Sequence, residues 1–69
     1  MMTVGTKMQQ TIASAESVKA NLMTFALETQ DQQAKQMYQQ LAQSMENIIS
    51  SLQSRLNYIE QEEPQYRQS

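Results

Sequence analysis

The sequence has no cysteine and no histidine. Without cysteine there is no disulfide and no thiolate metal site. Without histidine, a zinc or di-iron centre would have to be assembled from carboxylates alone, and the Glu-x-x-His pairs of ferritin-like bundles are missing. The same two absences remove the commonest general base and the strongest nucleophile of enzyme sites. The seven carboxylates are Glu16, Glu28, Asp31, Glu46, Glu60, Glu62 and Glu63. None falls on the main apolar stripes described below, so none is placed as a desolvated acid-base pair. No glycine-rich phosphate loop is present. The expectation is a protein that is not an enzyme and holds no cofactor and no metal.

Other shortages point the same way. Glycine occurs once, at Gly5, and proline once, at Pro64, so the long interior lacks the strong helix breakers. Charged residues make up 17% of the chain and the net charge is -2, too little for self-repulsion to keep it unfolded. The five basic residues, Lys7, Lys19, Lys35, Arg55 and Arg67, are scattered, which argues against nucleic acid as a partner. No apolar run approaches the roughly eighteen residues of a membrane span, and no signal-peptide hydrophobic region opens the sequence. The expected compartment is the cytoplasm. Basic faces of the kind that bind anionic lipid are also lacking, which makes peripheral membrane binding the weaker reading.

What stands in place of charge is glutamine, with thirteen in 69 residues. These are interleaved with regularly spaced apolar residues, so they read as the wet face of helices instead of a low-complexity tract. Val4, Met8, Thr11, Ala15, Val18, Leu22 and Phe25 recur in steps of four and three, with Thr11 the one polar step. A second stripe holds Ala34, Tyr38, Leu41, Met45, Ile48, Leu52, Arg55 and Ile59, a heptad pattern broken only by Arg55. The two stripes are out of phase across "LETQDQQAK", where Thr29 and Gln32 have capping-box spacing and Asp31 adds an acid to the first helical turn. Thr6 and Gln9 repeat that spacing near the start. The pattern predicts an all-α, antiparallel two-helix hairpin in a single domain. Helix 1 spans about 4–28, the turn about 29–31, helix 2 about 32–62, and residues 63–69 form a polar tail after the Pro64 break. Folding the stripes together sets Leu22 near Tyr38, Val18 near Leu41, Ala15 near Met45 and Met8 near Leu52.

A chain this short encloses little apolar surface, and with disulfides and metals unsupported, self-association is the remaining way to stabilise it. Beside each stripe lies a second set of apolar residues, Ile12, Met23, Ala26 and Leu27 on the first helix and Met37, Ala42, Ile49 and Leu56 on the second. A stripe that wide suits more than two helices. The expected assembly is a homodimeric four-helix bundle, with Ile12, Met23, Leu27, Met37, Ala42, Ile49 and Leu56 as its self-association residues. Arg55, inside an apolar stripe, is a candidate register or partner-selection residue. Met23 and Met37 have the adaptable side chains of docking surfaces, and Tyr66 could anchor a partner.

The stretches "TFALETQDQQAKQMYQQLAQ", "MTVGTKMQQTIAS" and "IEQEEPQYR" together resemble a family of short proteins of spore-forming Bacillus and Clostridium relatives, domain-of-unknown-function family 1657. The resemblance runs from Met2 to Arg67, and "TQDQQAKQ" and "EEPQY" are its most specific parts because a generic heptad dictates neither. The family has no assigned catalytic activity and so no catalytic residues to carry over. It implies a sporulation setting and a membrane protein of the spore as a partner, which adds Glu62, Glu63, Pro64, Gln65 and Tyr66 to Arg55 as partner-binding candidates. The functional expectation is a non-catalytic helical adaptor, cytoplasmic or spore-associated, acting by self-association and protein binding. The alternative is a bundle that binds or stores a small molecule in its core.

Overall fold

A computed structural model describes residues 4–62 and folds them into two helices, α1 (Val4–Glu28) and α2 (Gln32–Glu62), packed side by side as an antiparallel hairpin. The chain is all-α, with no strand among the described residues.

The connector Thr29-Gln30-Asp31 turns the chain without glycine. No residue of the described chain takes a positive φ, so none is required. The Thr29 amide donates to the Phe25 carbonyl (3.0 Å), closing the last turn of α1. The Thr29 hydroxyl oxygen accepts from the Asp31 amide (3.2 Å). Asp31 then caps α2. Its Oδ1 accepts from the amides of Gln33 (2.9 Å) and Ala34 (3.3 Å), and its carbonyl accepts from Lys35 (2.9 Å). These bonds satisfy donors that every helix start leaves open. The cap is therefore Asp31, standing just before the helix, and not Thr29 in a box with Gln32. At the other end α1 already begins at Val4, so Thr6 lies within the helix and a Thr6–Gln9 box does not start it. Asp31→Ala is expected to cost about 0.5–2 kcal/mol, read as a lower midpoint in thermal unfolding followed by circular dichroism.

The register follows from two cross-helix contacts. The Lys19 ammonium pairs with the Glu46 carboxylate, and the Phe25 and Tyr38 rings lie 5.5 Å apart in a tilted arrangement. Counting outward from these, Gly5 comes level with Ile59, Met8 with Leu56, Ile12 with Leu52, Ala15 with Ile49, Leu22 with Ala42 and Ala26 with Tyr38. Ile12, Ala15, Ile49 and Leu56 form the buried cluster, with Met8, Met45 and Leu52 packed against it. This register is one helical turn away from the one expected from the stripes, in which Met8 met Leu52.

Each helix thus presents two lines to the other. An inner line holds Gly5, Ile12, Lys19 and Ala26 on α1 and Lys35, Ala42, Ile49 and Leu56 on α2. A second line holds Met8, Ala15, Leu22 and Thr29 on α1 and Tyr38, Met45, Leu52 and Ile59 on α2. All of these residues are buried or half-buried. The expected stripes contained the second line but paired it with the wrong neighbour. Val4, Val18, Phe25, Leu41 and Ile48 are exposed flank residues, and the inner line takes their place in the seam. The reason is steric. On the inner line Gly5, Ala26 and Ala42 let the backbones approach, and Ile12, Ile49 and Leu56 of the same line are buried in the space between them. Thr11, expected in the stripe, instead turns outward and donates its hydroxyl to the Lys7 carbonyl (2.9 Å). Thr24 does the same to Ala20 (3.1 Å).

Candidate functional site

The hairpin is a flat slab, 49 × 19 × 10 Å, so it has two broad faces. In an antiparallel pair the corresponding flanks of both helices fall on the same side of the seam, because reversing one helix brings its flank to match the other's. The flank line next to the second seam line is Val4, Thr11, Val18 and Phe25 on α1, and Ala34, Leu41, Ile48 and Arg55 on α2. Both lines therefore share one broad face. The half-buried Met8, Leu22, Tyr38, Met45 and Leu52 form its floor.

The exposed large apolar residues concentrate here. Val4, Val18, Phe25, Leu41 and Ile48 stand on the flank lines, and Met37 and Tyr58 stand one step further out on α2. Only Met23 and Leu27 of that set belong to the opposite face. Arg55 places a charge on the α2 flank line, and its guanidinium carbon lies 4.9 Å from the Tyr58 ring centroid. This contact holds the charge at the rim through a cation–π attraction of about 0.5–1 kcal/mol. Gln53 donates to Asn57 (3.3 Å) on an exposed part of the same helix.

The opposite broad face is polar along most of its length, but it contains a shallow groove of 350 Å³ beside the turn. Met23, Ala26 and Leu27 line it from α1, and Lys35, Gln39, Ala42 and Gln43 from α2. The Lys19–Glu46 pair closes its far end. The lysine sits at a seam position with its stem packed and its ammonium led out to the glutamate, as long amphipathic side chains do. Both partners retain enough solvent contact for the pair to fix register more than stability.

The residues assigned from sequence to self-association divide three ways. Ile12, Ala42, Ile49 and Leu56 are buried inside the seam of a single hairpin. On their line Gly5, Ala26 and Ala42 permit the close approach, and Ile12, Ile49 and Leu56 fill the core. Met23 and Leu27 are exposed on the groove side, and Met37 on the rim of the apolar face. Among the partner-binding candidates, Arg55 is exposed on the apolar face and Glu62 is exposed as the last residue of α2. Glu63, Pro64, Gln65 and Tyr66 lie outside the described residues. The outward role of Val18, Phe25, Leu41 and Ile48 was missed from sequence. The available signal was Arg55, which marks its own line as the wet one.

Chemical groups are sparse on both faces. Among the described residues no buried polar side chain lacks a partner, no group of three acidic residues is placed to hold a metal ion, and no helix is long and apolar enough to cross a membrane. What the folded chain presents is shape and apolar surface. It is an all-α protein of the helical-hairpin class, with a coiled-coil-like seam and one open apolar face.

Residues 8–56 match the family described as Protein of unknown function (DUF1657), and the chain belongs to that family. The matched stretch begins and ends at one layer of the hairpin, since Met8 lies level with Leu56. No curated protein and no solved structure matches the chain.

Proposed function

We propose that this protein is a non-catalytic structural and interaction protein, a small helical adaptor that acts by associating with itself and binding other proteins. The observation that carries the reading is the open apolar face. Val18, Phe25, Leu41 and Ile48 stand exposed together on it, and large exposed apolar patches mark protein or membrane contacts. The lack of clustered Lys and Arg turns the choice away from lipid and nucleic acid and toward protein. Sporulation is the setting that the family resemblance implies, and within it the adaptor is cytoplasmic or spore-associated. Arg55 and the segment from Glu62 onward are the elements assigned to a spore membrane protein.

Size-exclusion chromatography with light scattering, over about a hundredfold dilution, tests the self-association. A mass near twice the 7.9 kDa of one chain is expected at the higher concentrations. A helical species with the mass of a single chain throughout overturns it.

A further inference from the structure

Resting on that self-association, we infer that the occupant of the open apolar face is a second copy of this chain, stacked face to face with its turn over the open end of the first. Three observations lead there.

The first is area. The broad side of the hairpin extends 49 Å by 19 Å, so it has room for the about 800 Å² per partner of a stable interface.

The second is the character of the face. Val18, Phe25, Leu41 and Ile48 are apolar and half-exposed above a floor that is itself half-buried, so a surface of the same kind covers both. A two-fold pairing uses one patch twice and needs no other partner. Ile48 stands near the middle of α2, where the two copies cross.

The third is charge, which sets the direction. On the rim of this face Lys7 and Arg55 lie toward the open end, with Glu62 closing α2, while Glu28 lies at the turn. Stacking with both turns at one end would gather two Lys7, two Arg55 and two Glu62 side chains at the open end and both Glu28 carboxylates at the other. Stacking turn over open end sets Lys7 of one copy beside Glu28 of the other, twice by symmetry, and separates the arginines. Like charges brought together are costly, and opposed ones fix orientation.

Sedimentation equilibrium on the full chain tests the face and the direction separately. Ile48→Glu is expected to weaken dimerisation at least tenfold, since it places a charge in the centre of the contact. Leu27→Glu, on the opposite face, is expected to leave it unchanged. Lys7→Glu alone is expected to weaken the dimer severalfold at low salt, and the double variant Lys7→Glu/Glu28→Lys to restore it. This pair leaves the apolar contacts intact, so it decides the direction even where Ile48→Glu also loses helix content. A wild-type chain that is monomeric removes the self-association itself, including the case where it gains mass only on anionic vesicles. A wild-type dimer that survives Ile48→Glu but not Leu27→Glu keeps self-association and overturns this face. A dimer strengthened by Lys7→Glu overturns the direction.

Discussion

Ile49→Ala is expected to destabilise the hairpin by about 2–4 kcal/mol, enough to remove most of the stability of a domain this small. Ile49 is 8% exposed, at the centre of the cluster with Ile12, Ala15 and Leu56. Truncating it removes apolar burial and leaves a void between two helices that Ala15, already small, cannot fill. Urea unfolding followed by circular dichroism measures the loss. Leu27→Ala is the matched control. At 81% exposure it makes little contact, so a change within about 0.5 kcal/mol is expected. Comparable losses at the two positions would place Ile49 outside the seam.

The second large effect comes from adding volume. Ala42 is buried, level with Leu22, and its small size is what lets α1 and α2 approach there. Ala42→Leu is expected to cost about 1–3 kcal/mol, because the added carbons force the helices apart or drive side chains off their rotamers. In the register suggested by the large-residue stripes, Ala42 would sit beside the seam and the same change would add harmless or favourable apolar surface. The sign of the effect in the same unfolding experiment therefore separates the two registers. A stabilised Ala42→Leu variant would return Leu41 and Ile48 to the inside.

Those two substitutions mark where the sequence is ambiguous. The helical character was legible, because regular apolar spacing, an uninterrupted interior and a wealth of glutamine admit little else. The hairpin was legible from the phase slip around Thr29–Asp31. The choice of inner line was not. Met8, Ala15, Leu22, Tyr38, Met45, Leu52 and Ile59 belong to both candidate seams, and each has a neighbouring line on either side. On one side stand the large residues Val18, Phe25, Leu41 and Ile48; on the other stand Ile12, Ile49 and Leu56 interspersed with the small Gly5, Ala26 and Ala42 and with Lys19 and Lys35. A count of hydrophobicity favours the first set. Close packing of just two helices favours the second, since Gly5, Ala26 and Ala42 let the backbones approach around Ile12, Ile49 and Leu56. Lysine at two inner positions hides the line further, although Lys19 resolves its charge by reaching Glu46. Of the second apolar set, Ile12, Ala26, Ala42, Ile49 and Leu56 enter the seam, while Met23, Leu27 and Met37 stay exposed.

That division also explains why the protein has two apolar sets at all. The line of Gly5, Ile12, Ala26, Ala42, Ile49 and Leu56 closes the hairpin, and the line of Val18, Phe25, Leu41 and Ile48 is left facing outward, where only another surface can cover it. Among the described residues the groove side offers a shallower site, and Leu27 and Met23 there are isolated from the main patch by charged and polar neighbours.

The most direct test of the face-to-face dimer is small-angle X-ray scattering of the purified chain. One hairpin has a Cα radius of gyration of 15.5 Å. Two hairpins stacked at the ~10 Å spacing of packed helices would have a radius of only roughly 16 Å. The predicted result is a mass near twice the 7.9 kDa of one chain, with the radius almost unchanged from that of one hairpin. A doubled mass with a radius near that of two hairpins end to end, or the mass of a single chain at every concentration, would contradict it.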